Sequence, residues 1–396
     1  MPLVRVRGLE IAARGQRVVE GLDLEAYPGE MVLLRGGVGT GKSLAMKALA
    51  GIVHAMYVGL EIRGEISIDG LSPLEALRRR LVLYVNQDFG RFSPSPSIAA
   101  LARILGVERS VSRRSLREMS VGEAYRVVVS MLVESRRRVL LVDEPSSHLD
   151  EEGLHEVLKM LRRWCTECGG VVVIADHEDD AYRGFVDHVI DVGEGIEPEP
   201  IEPTECTRSK PLKMIDLVCG YGSKRVVEGL NIVAEPGTIV AVVGPNGSGK
   251  TTLVRTLIGV LKPLKGRVDA PNRVFVLPQT PIKWFVHASI AEELKAFRIG
   301  TDIARKLGIH DPSRSPHTLS VGESRMLSIA IASLVDRPLI IVDELSLGLD
   351  RQCMEWLSEE LRAMAQRGRV VLVTTHRREL ASRLGDVVVD LEKARS

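Results

Sequence analysis

Two stretches of this 396-residue chain have the residue types and spacing that hold a phosphate. Gly36, Gly37, Val38, Gly39, Thr40 and Gly41 lead into Lys42 and Ser43; Gly244, Pro245, Asn246, Gly247, Ser248 and Gly249 lead into Lys250 and Thr251. Both fit G-x-x-x-x-G-K-[ST], each after an apolar run and before a helical pattern. The glycines let a loop curl so that successive backbone N–H groups face an anion, to which a helix N-terminus adds its positive end. The two lysines would reach the terminal phosphates, and the Ser43 and Thr251 hydroxyls suit Mg²⁺. A plain glycine-rich turn accounts for one such match, but not for two in register within a repeat.

Hydrolysis needs a base as well. VLLVDE ends at Glu144 and LIIVDE at Glu344, each an apolar strand pattern closed by adjacent acids. Asp143 and Asp343 are placed to hold Mg²⁺, directly or through water, and Glu144 and Glu344 to polarise an attacking water. Paired acids at a strand end also cap helices; the phosphate loops upstream favour the chemical reading.

What must position these residues is a duplicated domain. Gln16 to Ser43 matches Lys224 to Thr251 without a gap at a shift of 208 positions. Arg138 to Asp150 matches Pro338 to Asp350 at 200, and Val171 to His177 matches Val370 to His376 at 199. Order is kept while the shift drifts, as loop insertions and deletions produce. Each copy alternates β-branched apolar runs with helical stretches, the pattern of a mostly parallel sheet covered by helices. Met31 to Arg35, Val139 to Val142 and Val171 to Ala175 read as buried strands, as do Ile239 to Val243, Leu339 to Val342 and Val370 to Thr374. The copies are expected over 1–193 and 211–396. Between them, 194–210 is rich in proline and glutamate and reads as an extended, solvated acidic linker.

Composition narrows the function. Net charge is +1, which argues against a dominant basic face though a local patch could hide in that average, and aromatics are 4%, which leaves few rings to stack on single-stranded nucleic acid. No apolar run approaches the ~20 residues that span a bilayer. The N-terminus has no signal-peptide core, so a cytoplasmic location is expected. Five cysteines are too few for a disulfide framework, and Cys165 with Cys168 is a lone CxxC without the second pair of a metal site.

Taken in order, these motifs resemble the nucleotide-binding domain of ATP-binding-cassette (ABC) ATPases, twice over and across almost the whole chain. Gln87 and Gln279 stand where that family has its glutamine loop, and Ser-Val-Gly-Glu from Ser120 and from Ser320 where it has its signature. His177 and His376 stand where it has a histidine on the γ-phosphate. The resemblance implies an α/β fold of two P-loop NTPase domains, each a mostly parallel sheet with helices and a small helical subdomain. It implies ATP and Mg²⁺ as cofactors, with Gln87 and Gln279 sensing Mg²⁺ and the attacking water. In the family two such domains face head to tail, each ATP lying between one phosphate loop and the other domain's signature. Ser320 and Gly322 would complete the site of Lys42, and Ser120 and Gly122 that of Lys250. Val121 and Val321 depart from the family's first signature glycine, which removes positive-φ freedom and adds a side chain near the nucleotide. Tyr221 stands where family members stack an aromatic on adenine; its counterpart is Ala13, so weaker nucleotide binding is expected at the first site.

The stretch from Gln279 to Leu294, QTPIKWFVHASIAEEL, resembles the docking segment of energy-coupling-factor and cobalt-type importers, and Gln87 to Leu101 is a looser version. This implies a polytopic membrane transport subunit as partner, a place on the inner face of the cell membrane, and import of a small solute, vitamin or metal ion. The intervals from glutamine to signature serine, 33 and 41 residues, are short for the family, so a reduced docking surface is expected. The rival reading is a soluble tandem ATPase acting on ribosomes or nucleic acid. Such relatives generally carry a long charged linker, an iron–sulfur cysteine cluster or a coiled-coil insertion, and the sequence has none.

Overall fold

The computed structural model describes the chain apart from residues 14–15, 54–59, 86–128, 130–136, 148, 150, 178–179, 194, 207–208, 246, 346–348 and 393–396. Gln87, Ser120, Gly122, Val121 and Asn246 therefore lie outside the described residues. The chain divides into two units, Met1–Gly195 and Ile196–Ser396.

In the first unit, β1 (Val4–Ala13), β2 (Gln16–Ala26), β3 (Met31–Arg35), α1 (Lys42–Leu49) and β4 (Leu60–Ile68) come first. There follow α2 (Pro73–Arg78), β5 (Val82–Val85), β6 (Val139–Asp143), α3 (Glu151–Cys168), β7 (Val171–Asp176) and β8 (His188–Asp191). Five strands make a parallel sheet in the order β5-β6-β7-β3-β8, and a separate antiparallel layer runs β2-β1-β4. Parallel strands must be covered on both faces, and the residues of β6 and β7 are accordingly all buried. Side chains alternate between the two covers. Met31, Leu33, Leu140 and Val172 meet an α3 stripe of Leu154, Val157, Leu158, Leu161 and Trp164. Val32, Leu34, Leu141 and Val173 pack in one cluster with Ala45, Met46 and Leu49 of α1 and with the antiparallel layer.

The second unit repeats this plan with β9 (Leu212–Tyr221), β10 (Lys224–Ala234), β11 (Ile239–Val243), α4 (Lys250–Leu257), β12 (Lys265–Asp269) and β13 (Val274–Leu277). Three helices follow before the next strand: α5 (Ile290–Ala296), α6 (Asp302–Lys306) and α7 (Val321–Leu334). The chain closes with β14 (Leu339–Val342), α8 (Arg351–Gln366), β15 (Val370–Thr375), α9 (Arg378–Leu384) and β16 (Val387–Asp390). Its sheets run β13-β14-β15-β11-β16 and β10-β9-β12. Each unit thus sets three strand ends side by side: the one before the phosphate loop, the one carrying the paired acids, and the one between them. Ligands of open parallel sheets sit beyond such carboxyl ends. Among the described residues no helix is long and apolar enough to cross a membrane.

The segment read as a solvated linker is bound along the second unit. Ile201, Pro203 and Cys206 are buried. Ile201 N–H donates to the buried Glu360 carboxylate at 2.6 Å, and Trp356 Nε1 donates to Glu199 O at 2.9 Å. The Arg367 guanidinium reaches Glu202 at 2.8 Å and Glu205 at 2.7 Å, so these acids pair with the residue that caps the C-terminus of α8 rather than only with water. Thr204 N–H donates to Ser333 O, and Cys206 N–H to Arg367 O. A proline-rich chain without helix or strand can still be ordered when its few N–H groups and apolar side chains find partners. Ile201→Ala is expected to cost about 2 kcal/mol and to speed cleavage of the full chain after Glu205, which unlike Glu199 and Glu202 is not followed by proline, by a glutamate-specific protease; an unchanged cleavage rate contradicts the docking.

Candidate functional site

In the first unit the loop after β3 folds around its own lysine. Lys42 Nζ donates to Gly36 O at 2.5 Å and Gly37 O at 2.8 Å, and the side chain is buried. Gly41, where the loop turns into α1, has φ +82°. A Cβ there would lie 2.6 Å from Val19 Cγ2 and 2.8 Å from Val18 O, so both conformation and space demand glycine. Ser43 Oγ, in the first turn of α1, donates to Asp143 Oδ1 at 3.1 Å, and Tyr84 OH on β5 donates to Asp143 Oδ2 at 2.7 Å. Burial pushes Asp143 up, against these hydrogen bonds and the charges of Lys47 and Lys42. Glu144, next in the chain, has φ +46°, a rare conformation for a residue with a side chain. Burial, with Asp143 and Asp176, pushes Glu144 up to about 7 against the pull of Lys42 and His177.

The second unit repeats the arrangement with different supports. Lys250 Nζ donates to Gly244 O at 2.7 Å and Pro245 O at 3.0 Å, and lies 3.6 Å from Glu344 Oε2. Gly249, with φ +106°, has Val226 and Val227 methyls where a Cβ would lie. Thr251 Oγ1 donates to Asp343 Oδ2 at 3.2 Å, while the other carboxylate oxygen accepts from Thr374 on β15 at 2.8 Å. Burial raises Asp343 despite those bonds. Glu344 again has a positive φ, +57°. His376 Nδ1 lies 2.7 Å from Glu344 Oε1. Burial alone would raise Glu344, but His376 and Lys250 hold it below the usual carboxylate range.

Each unit therefore brings together a lysine, a hydroxyl–carboxylate pair and a glutamate on a left-handed turn. The hydroxyl and carboxylate oxygens are hard donors of the kind Mg²⁺ takes, and the ion can draw its remaining ligands from substrate phosphates. Among the described residues no group of three or more His, Cys, Asp or Glu forms an all-protein cage. Ser248 Oγ is buried in the second loop without a hydrogen-bond partner among the described residues.

Gln279 follows β13, beside the strand of Asp343, and its carbonyl accepts from Arg325 Nη2 at 3.0 Å. Tyr221 stands exposed at the end of β9, and its hydroxyl accepts from Arg255 of α4. Ser320 is the N-cap of α7: its Oγ accepts from Glu323 N–H, and Glu323 Oε2 accepts from Ser320 N–H, a reciprocal capping box. Val321 is the first helical residue and neither it nor Gly322 has a positive φ. The expected loss of backbone freedom at the valine is thus corrected: the helix start makes no use of it.

Four supporting residues carry no motif. Tyr84 and Thr374 hold the two aspartates from opposite neighbouring strands, and Asp176 holds His177 Nδ1 at 3.0 Å. Arg325, fully buried on α7, bonds Gln279 O and Asp343 O; burial lowers its guanidinium to about 10. An arginine in the otherwise apolar face of a helix is the sequence signal that could have found it.

Val321→Gly, which restores the family's glycine, is expected to lower stability by roughly 0.5–1 kcal/mol because glycine disfavours the helix start. Chemical denaturation of the full chain checks this, and a stabilised variant contradicts the helical assignment of Val321.

The family model described as ABC transporter matches residues 19–147 and 227–346. A protein of Streptomyces avermitilis named as a candidate ABC transporter ATP-binding protein is 24% identical over 98% of this chain and 92% of its own length. One of the same name from Saccharolobus solfataricus is 23% identical over 100% of this chain and 93% of its own. Among solved structures, the RNase-L inhibitor is similar with a TM-score of 0.58 at 23% identity, over 96% of this chain and 87% of its own. The archaeal ribosome recycling factor aABCE1, solved with ribosomal stalk protein aP1, has a TM-score of 0.58 at 22% identity, over 93% and 85%. These two are likenesses of fold. With two matched regions that together cover most of the sequence, the chain belongs to the ABC transporter family and is an ATP-hydrolysing protein with two of the family's domains in tandem.

Proposed function

We propose that the protein binds ATP at two composite sites, each joining the phosphate loop of one unit to the signature of the other, and that the resulting opening and closing drives a membrane transporter. The observation that carries the ATPase chemistry is the repeated set of buried lysine, hydroxyl–aspartate pair and left-handed glutamate in both units. Lys42 and Lys250 orient and neutralise the terminal phosphates, while the loop N–H groups fix the chain that bears them. Ser43 with Asp143 and Thr251 with Asp343 would hold Mg²⁺, which when bound would supply charge neutralisation on the phosphate oxygens. Glu144 and Glu344 orient the attacking water and take its proton, and His177 and His376 hold the γ-phosphate. The signature serine and glycine N–H groups, at a helix start, add donors to that phosphate.

Transport as the output is supported by the names of relatives matched over nearly their whole length, and by the importer-like segment from Gln279. A small solute, vitamin or metal ion is the proposed cargo, with a polytopic subunit as the partner at the inner face of the membrane. A second reading, action on ribosomes, is favoured by the likeness across the whole chain to a ribosome recycling factor. Purification of the tagged protein from detergent extracts of its own cells separates the two. A co-purifying polytopic membrane protein supports transport, and ribosome-stimulated ATP turnover overturns it in favour of the second reading.

The two glutamates also predict different pH profiles. Glu144 acts as a base only when ionised, so with Glu344→Gln, kcat/KM is expected to rise as pH increases through about 7. With Glu144→Gln, the remaining Glu344 is held low and stays ionised across that window. Coincident profiles of the two variants contradict the assignment.

A further inference from the structure

The two histidines are held by different carboxylates. In the second unit His376 Nδ1 lies on Glu344, and the hydroxyl of the residue before it, Thr375, accepts from Arg377 N–H. In the first unit the residue before the histidine is Asp176, at the end of β7. It is fully buried, and five donors converge on it. Oδ1 accepts from Ser146 Oγ at 2.8 Å and His177 N–H at 2.7 Å, and lies 3.0 Å from His177 Nδ1. Oδ2 accepts from Tyr182 OH and from Ser146 N–H at 3.2 Å. Burial alone would raise this carboxyl, yet His177 and the Tyr182 hydroxyl hold it well below the usual range, so it is a carboxylate at all ordinary pH.

We propose that Asp176 is the positioning residue of the first unit's ATP site, fixing the ring of His177 through Nδ1 as Glu344 does for His376 in the second. Ser146 belongs to the turn after β6 that starts at Glu144, and Tyr182 to the turn after β7. Asp176 therefore ties the histidine to the turn bearing the glutamate. A carboxylate on Nδ1 sets the tautomer and the ring plane, which decides what Nε2 presents to a phosphate. In the second unit one carboxylate must both hold the histidine and serve the water. In the first the two tasks fall to Asp176 and Glu144. The inference rests on the reading of His177 as a γ-phosphate residue.

The test is a double-mutant cycle in the full chain carrying Glu344→Gln, where turnover comes from the site of Glu144. Asp176→Asn is expected to lower kcat about tenfold with the KM for ATP changed less than about twofold. His177→Ala is expected to lower kcat at least as far, and Asp176→Asn added to it to have no further effect, because the two act as one unit. An unchanged kcat in Asp176→Asn, or a loss that persists undiminished when His177 is absent, overturns the proposal and leaves the role of His177 standing. An unchanged kcat in His177→Ala overturns both. Should Asp176→Asn fail to fold, Tyr182→Phe removes one donor to the carboxylate and runs the same cycle: a kcat loss that vanishes with His177→Ala supports the proposal, and any other result overturns it.

Discussion

A buried ammonium has to be surrounded by oxygen, and in both units the local architecture answers to that need. Lys42 and Lys250 are at most 6% exposed. Each is held by carbonyls of the loop that precedes it, which is possible only if that loop doubles back. Doubling back needs a left-handed residue with no side chain where strand hands over to helix, and Gly41 and Gly249 fill that place. The strand order then brings the aspartate at the end of β6 or β14 within a hydrogen bond of the hydroxyl that follows the lysine. Loop, helix start and acidic strand end are thus one electrostatic unit, and the buried strands behind it hold the spacing.

Duplication preserved that unit and let its supports diverge. The hydroxyl that steadies the aspartate comes from β5 in the first unit and β15 in the second, where Tyr84 faces Asp143 and Thr374 faces Asp343. Each substitution makes sense beside the other: Ala175 in the first unit has no hydroxyl to offer, and Val276 in the second has none either. The glutamates keep their left-handed turns but not their surroundings, and so differ in acidity. Equivalent motifs do not make equivalent sites.

Much of this was legible in the chain. The strand before each phosphate loop and the runs ending in paired acids lie where β-branched periodicity puts them, since buried parallel strands leave an uninterrupted apolar trace. The capping of α7 is also local, and its Ser-Val-Gly-Glu reads as a capping box once the helix start is known. The segment before β9 misled because its composition is local and its partners are not. Glu360, Trp356 and Arg367 lie more than 150 positions further on, and only they explain why Ile201 is buried. Asp176 and Arg325 escaped for the related reason that their meaning is a contact between strand ends, which no spacing rule records.

On the proposed function each unit holds its own nucleotide by its own lysine. Equilibrium binding of ATP with Mg²⁺ to the full chain carrying Glu144→Gln and Glu344→Gln tests it most directly. Two ATP per chain are predicted, falling to one when either Lys42→Ala or Lys250→Ala is added. A single ATP in the parent, or two retained after either lysine is removed, contradicts the account.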